Sequence, residues 1–459
     1  MTEHRPLLTV VDPATGQPGR TYEGHARPEA HAVIARTRSA FERWRLTSFE
    51  ERAVLMRQAA EVLRRRAPEF ARLMTEEMGK PHADGLAEVE KCAFNCEFFA
   101  GKAADFLARR PVDVGGPKAF VTYNPLGVVL AVMPWNFPVW QVFRFLAPSL
   151  MAGNVALLKH ASNVPGCADL IAAVLADAGV PAGVFDVLHV DNEQAADVLR
   201  DRRVKAVTLT GSERAGRAIA ANAGDQLKKC VMELGGSDAF VVLDDADLDV
   251  AVAAAVKSRF DNAGQTCIAA KRFVLVEAIA DAFVQRFVEA AKARVYGDPR
   301  DAATTLAPMA RADLRDGLHR QVRESIDKGA KVLLGCEPIA GSHAGYPASI
   351  LDHVAPGMPA YEEELFGPVA SILRVKDEAA AVRVANDTGF GLGGSVWTRD
   401  AARGEQVAAQ LQCGAAFVNA VVRSDVRLPF GGSKRSGFGR ELAEHGIHEF
   451  TNIKTIYVA

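Results

Sequence analysis

The hydrophobic positions change their period near residue 127. Before it, apolar residues recur every three to four places, the spacing of helices that bury one face, and this predicts helices over 28–45 and 84–109. Between them Ser48-Phe49-Glu50-Glu51 has the form of a capping box, in which serine and glutamate satisfy each other's backbone N–H groups. It opens one long helix that Gly79-Lys80-Pro81 ends. A breaker-rich connection follows at 111–118. The β-rich run at 119–123 reads either as a main-sheet strand or as part of a protruding hairpin. From 127 onward, short continuous apolar runs alternate with helices. Strands are expected near 128–133, 155–159, 185–190, 206–210 and 229–233, with helices at 165–178 and 214–223 among the crossovers. Such a pattern indicates a parallel sheet covered on both faces, with ligand at the carboxyl ends of its strands. A second alternation, at 240–243, 273–276, 332–334, 369–375 and 394–397, predicts a second α/β unit. A last run, 453–458, follows the glycine-rich 431–439 and reads as a tail that docks elsewhere.

Length and composition narrow the class. A chain of 459 residues exceeds one ordinary core and suggests about three domains. An apolar fraction of 49% and a charged fraction of 24% are those of a globular protein. The net charge of −2, with both signs interspersed, argues against a nucleic-acid surface, and Arg64-Arg65-Arg66 reads as a solvated helix face. No stretch approaches the roughly 18 apolar residues of a membrane helix, and the first residues lack a signal peptide's basic start and apolar run. Seven cysteines make an odd, sparse set without disulfide-framework spacing. Cys92 and Cys96 share a helix face, but no histidine pair accompanies them, so no metal site is expected. The expectation is a cytosolic protein with reduced thiols.

The candidate chemistry centres on Cys267, which follows the small, polar loop Asn262-Ala263-Gly264-Gln265-Thr266. Glu233 ends an apolar run just before Gly235-Gly236. A thiolate is a nucleophile, and a carboxylate can serve as general base toward thiol or water. Taken alone, Cys267 reads equally as a small buried hydrophobe. Thr210-Gly211-Ser212 follows a strand and opens a helix that contains Gly216. This is a phosphate-holding helix start or a plain β–α turn, and the spacing is not that of G-x-G-x-x-G. Pro134-Trp135-Asn136-Phe137-Pro138 ends another apolar strand. Its two prolines fix the backbone around an amide suited to an oxyanion, or around a simple turn residue.

Together these pieces resemble the aldehyde dehydrogenase superfamily. The matching segments are PWNFP (134–138), the strand ending in Lys159, TGS with Gly216, ELGG (233–236), GQTC (264–267), EELFGP (363–368) and PFGGSKRSGFGRE (429–441), in family order. The resemblance implies an α/β fold in three parts. A Rossmann-type NAD(P)-binding domain would span 1–109 and 126–234, and an α/β catalytic domain 235–425. A small β oligomerisation element with the C-terminal tail would take 110–125 and 426–459. It implies NAD(P)-dependent oxidation of an aldehyde to an acid through a thioester on Cys267. Asn136 would stabilise the oxyanion and Glu233 would activate water. By the same carry-over NAD or NADP would be held by Trp135, Lys159, Ser162, Gly211, Ser212, Gly216, Glu364 and Phe366, and the chain would form a homodimer or homotetramer.

Within the superfamily the wording LLKHA (157–161) and LKKC-x-x-ELGGSD (227–238) most resembles bacterial succinate-semialdehyde dehydrogenases. Arg144 and Ser424 stand where such enzymes meet the substrate carboxylate, with Arg423 and Arg427 beside the serine; an arginine matches a carboxylate bidentately. Another small aliphatic or aromatic aldehyde is the alternative substrate, and a noncatalytic protein on the same fold is the alternative class. Three departures bear on this reading. Asp261 occupies a place where many such enzymes carry an arginine, and would repel a carboxylate if it faced the site. Ala269 replaces a second cysteine, so no disulfide switch can form there. Ser162 replaces a glutamate common in NAD-preferring relatives, so nothing at that place repels a 2′-phosphate.

Overall fold

The computed structural model describes residues 4–459. The helical first part forms largely as its periodicity predicts, with helices Arg27–Trp44 and His82–Phe106. The capping box is present: Glu51 N donates to Ser48 Oγ at 3.2 Å, and Ser48 N to Glu51 Oε2 at 2.6 Å. The single long helix expected from there to Gly79 is two, Phe49–Arg65 and Ala67–Met78. Pro68 sits in the first turn of the second, where its missing N–H costs nothing but the preceding helix cannot run through it. The start of the chain, where no strand was expected, is an antiparallel hairpin of Leu7–Val11 and Pro18–Glu23; the apolar, largely β-branched Leu7–Val11 carries the signal for it.

Among the described residues the first main sheet has the order Gly437–Phe438, Lys229–Glu233, Val204–Thr210, Val128–Met133, Val155–His160, Phe185–Val187. All neighbours are parallel except the short first strand, which is antiparallel to Lys229–Glu233. The chain steps outward from Val128–Met133 through Val155–His160 to Phe185–Val187. It then crosses back to lay Val204–Thr210 on the other flank of Val128–Met133. That reversal opens a crevice at the carboxyl ends of these two strands.

The second sheet runs Lys331–Leu334, Ser349–Asp352, Val369–Val375, Ala270–Val276, Asp238–Val242, Gly393–Trp397, Ala415–Val418. Only its first pair is antiparallel. Side chains along a strand alternate between faces, and here they fall into separate cores. Ala239 and Val241 pack with Val274, Leu351 and Val396, whereas Phe240 and Val242 pack with Phe273, Phe283 and Phe287. Both faces are therefore covered, which is why the strand reads as one unbroken apolar run. Two of its strands, Ser349–Asp352 and Ala415–Val418, were not anticipated: each has four residues, too short for a period to show.

Lys118–Pro125 belongs to neither sheet. It pairs antiparallel with Arg110–Val112 and Thr451–Val458 in a separate three-stranded sheet, so the protruding reading of this run holds and the tail docks upon it. Between the sheets and this tail, Phe430, Leu442, Ile447 and Phe450 return to the core of the first sheet. Among the described residues no helix is long and apolar enough to cross a membrane.

Candidate active site

The chain passes from the first sheet to the second in four residues, between Glu233, the last residue of one strand, and Asp238, the first of the next. Gly236 lies in that step. A Cβ there would come within 2.9 Å of the Cys267 carbonyl oxygen, so the bare backbone lets the cysteine loop close onto the crossing. Three successive residues of the loop, Asn262, Ala263 and Gly264, have φ of 54°, 52° and 69°. Such a run costs free energy unless its surroundings over-determine it. They do: Arg259 Nη2 donates to Gly264 O at 2.6 Å, Gln265 Nε2 to Asn262 O at 3.1 Å, and Ala310 N to Gln265 Oε1 at 2.9 Å. Lys271 Nζ caps the other end, on Thr266 O at 3.0 Å and Cys267 O at 2.8 Å. Cys267 is thus presented by a turn whose carbonyls are held by Arg259, Gln265 and Lys271.

Asn136, in the loop after Val128–Met133, meets this turn from the first sheet. Its Nδ2 donates to Gln265 O at 3.0 Å, and Asn262 Nδ2 donates to Asn136 O at 3.1 Å. One hydrogen of the Asn136 amide remains for another acceptor. Burial pushes the Cys267 thiol up to about 11, with Arg144 and Lys271 pulling it down. The thiol is therefore neutral at pH 7 in this arrangement.

Glu233 is 2% exposed and belongs to a buried group of charges. Burial pushes its carboxyl well above the ordinary range; Arg144 opposes this and Glu441 adds to it. The Glu441 carboxyl is raised as well, again chiefly by burial. Arg144 Nε forms a buried ion pair with Glu441 Oε2, its Nη2 donates to Thr210 Oγ1 at 3.1 Å, and its guanidinium lies 4.7 Å from the Phe430 ring. Arg144 is thus held at the site by partners of its own, a commitment that its position in the sequence did not disclose.

A cavity of about 470 Å³ opens beside Cys267. Thr266, Cys267, Phe137, Trp140, Arg144 and Ser424 line it, together with Lys91 and Asp261. Glu233 is not among its lining residues and lies behind it with Glu441. Asp261 does face the cavity, but its carboxylate is held by Lys257 at 2.9 Å and Arg294 at 3.1 Å, so its repulsion of an anion is compensated. Arg427 is turned to Asp425 at 2.7 Å, while Arg423 lines the cavity.

The remaining candidates gather at the crevice between Val128–Met133 and Val204–Thr210. Ser212 caps helix Glu213–Asp225, accepting from Ala215 N at 3.3 Å, and the helix start is open to solvent. Gly216 is buried under Leu234 on the inner side of the same helix. The Trp135 and Phe366 rings, from different sheets, meet edge to face at 5.8 Å. Glu364 accepts from Gly236 N at 3.1 Å and pairs with Lys271 at 3.2 Å. Lys159 is half-buried and donates to Asn192 Oδ1 at 3.3 Å, and Ser162 beyond it is exposed. An open helix N-terminus for phosphate, a lysine and a carboxylate for ribose hydroxyls, and an aromatic pair for a flat ring are a donor set that fits a dinucleotide. Lys271, Lys91 and Glu441 are the site residues that motif reading passed over. Glu441 closes a matched motif and could have been singled out; the two lysines carry no signal at sequence level.

Two mostly parallel α/β sheets are joined at a nucleotide-type crevice, with the Cys267 loop closing onto the crossing between them. The chain belongs to the aldehyde dehydrogenase family, whose model matches residues 1–456. It is 48% identical over 447 residues to the succinate semialdehyde dehydrogenase [NAD(P)+] Sad of Escherichia coli K12, covering 97% of each chain. It is 46% identical to a probable succinate-semialdehyde dehydrogenase [NADP(+)] of Synechocystis, covering 98% of this chain and all of that one. Among solved structures, the succinic semialdehyde dehydrogenase of Streptococcus pyogenes in complex with NADP+ superposes with a TM-score of 0.96 at 37% identity, covering 98% and 99% of the two chains.

Proposed function

We propose that this chain oxidises succinate semialdehyde to succinate, using NADP or NAD. The observation that carries the reading is the cavity, in which Cys267 shares the lining with the cations Arg144 and Lys91 and with Ser424. The relatives bearing that activity in their names support it along the full length of the chain.

In this reading Cys267 Sγ, as thiolate, bonds to the aldehyde carbon and gives a thiohemiacetal. The Asn136 amide and the Cys267 N–H donate to its oxygen, where the negative charge develops. Bound NAD(P) supplies the hydride acceptor that turns this carbon into a thioester. Trp135, Lys159, Ser162, Gly211, Ser212, Gly216, Glu364 and Phe366 would hold that cofactor. Glu233, once ionised, takes a proton from water; the water oxygen bonds to the acyl carbon, the C–S bond breaks, and acid and thiolate are released. Burial works in favour of this step, because a carboxylate deprived of solvent is a stronger base than a solvated one. At the far end of the substrate, Arg144 and Ser424 meet the second carboxylate.

The exposed side chains of Ile453, Tyr457 and Val458, on the edge strand of the three-stranded sheet, suit an interface between copies of the chain, in a homodimer or homotetramer. The location in the reading is cytoplasmic. The test of function is a comparison of kcat/KM for succinate semialdehyde and butanal with each cofactor, followed by absorbance of the reduced nicotinamide. Equal efficiency on the two aldehydes would defeat the substrate assignment and leave the family intact.

A further inference from the structure

Apart from Arg423, which is exposed to solvent, the cations that line the cavity are paired with one exception. Lys80 is paired with Glu88, Lys257 with Asp261, and Arg144 with Glu441. Lys91, on the helix His82–Phe106, is different. Among the described residues no carboxylate lies within ion-pairing distance of its Nζ. Its ammonium donates to Ser424 Oγ at 2.6 Å and stands 4.0 Å from the centre of the Trp140 ring, and all three side chains line the cavity with Cys267. An ammonium has three hydrogens, and one hydrogen bond with one aromatic face leaves donor capacity over. Burial, with Arg144 next, pushes it down to about 8, and the more distant Glu88 and Asp425 offset this only in part. It nevertheless remains largely protonated at pH 7.

We propose that Lys91 is a specificity-determining residue whose ammonium, together with the Ser424 hydroxyl, seats the distal carboxylate of the aldehyde substrate. The inference rests on the substrate reading above and assigns the charge on which that reading depends. Arg144 lends direction but little net charge, because Glu441 already balances it. Arg423 also lines the cavity but is exposed to solvent, so an anion drawn out of water finds its less exposed counter-charge at Lys91. Such a pair removes the cost of burying both ions at once, whereas an uncharged aldehyde leaves Lys91 as it was.

The experiment compares Lys91→Met, which keeps the stem against Trp140 and deletes the charge, with wild type on succinate semialdehyde and butanal. The ratio of the two kcat/KM values is expected to fall by about 100-fold, mostly through KM for the semialdehyde, in the range for truncating one partner of a buried charge pair. Lys91→Gln, which keeps a donor to Ser424 without the charge, should fall equally, and Lys91→Arg should recover part of the ratio. A wild type with no preference for the semialdehyde defeats the substrate reading. A wild type that has the preference, with Lys91→Met and Lys91→Gln retaining it, overturns the role of Lys91. A measurement on the unmodified enzyme stands beside these. Acetylation of Lys91 by acetic anhydride, followed by peptide mass spectrometry, should be slowed by succinate and not by butanol. Equal labelling with and without succinate overturns the inference even where the variants fail to fold.

Discussion

Replacing Arg144 by Met tests the charge group behind the cavity. Methionine fills most of the arginine stem and leaves Glu441 buried without the cation it pairs with, while Glu233 keeps only the weaker influence of Arg440. Removing one partner of a buried ion pair typically costs about 3–5 kcal/mol. The structure sets a ceiling on that cost, because both carboxyls are already raised and the orphaned Glu441 can take up a proton. Neutralising a glutamate of ordinary pKa about 4.3 at pH 7 costs about 2.7 pH units at 1.4 kcal/mol each, or roughly 4 kcal/mol. The sign follows from linkage. The folded variant binds one more proton at this group than folded wild type does, while the two unfolded chains bind the same number. The loss therefore grows by about 1.4 kcal/mol per pH unit between the Glu441 pKa in folded wild type and the higher one in the folded variant. Urea unfolding of both proteins at pH 5.5 and 7.5, over a range where both remain folded in water, should show a larger loss at the higher pH, by at most about 2.8 kcal/mol, with unchanged m. A loss independent of pH would mean that Glu441 keeps its charge without Arg144, and the pairing argued here would be wrong.

Cys267→Ala should abolish oxidation while leaving the affinity for NADP, measured by quenching of tryptophan fluorescence, within about two-fold of wild type, because Cys267 lies on the loop and not at the helix start. Glu233→Gln should acylate and then stall, so that intact-mass spectrometry after one turnover finds the acyl adduct on Cys267; normal turnover would remove Glu233 from the mechanism. Because burial raises both Glu233 and Cys267, the reactive form of each is the one favoured by alkali, and kcat in wild type should climb from pH 6 toward pH 9. A falling profile would contradict both roles. Ser162→Glu should weaken NADP selectively, by about 10-fold or more in KM, since a carboxylate beyond Lys159 would face a 2′-phosphate; equal effects on NAD and NADP would place Ser162 away from the ribose.

Much of the fold was legible because its strands are buried on both faces. A run such as 239–242 is apolar throughout whichever core each residue enters, and its length and flanking turns mark it as a strand. Elements that depend on partners far along the chain were not legible in the same way. Pro18–Glu23 is mostly polar and exposed, and Leu7–Val11, though apolar at four of five positions, forms a surface hairpin with it that leaves Leu7 and Val11 exposed. The break between Phe49–Arg65 and Ala67–Met78 was visible in Pro68, yet the apolar period continues across it and hid it.

The site divides along the same line. Cys267, Asn136 and the turn at Gly211–Ser212 sit at strand ends next to prolines and glycines, where backbone constraint leaves a local mark. Lys91 and Arg144 lie inside helices, where a basic residue normally reads as a solvated face, and nothing local says that either is buried. What sets their roles is which carboxylate each meets: Glu441, 297 positions along the chain, for Arg144, and none within pairing distance among the described residues for Lys91. Sequence reading weighed Arg144 as the substrate's cation and Asp261 as a source of repulsion, each as an isolated charge. In the folded chain Glu441 balances the first, and Lys257 with Arg294 balance the second. Of the cavity cations left without a carboxylate in pairing distance among the described residues, Arg423 is exposed, and Lys91, which no motif contains, is half-buried. The pocket's preference for an anionic aldehyde is therefore a property of its pairing pattern, and it should follow Lys91 more closely than any residue that the motifs single out.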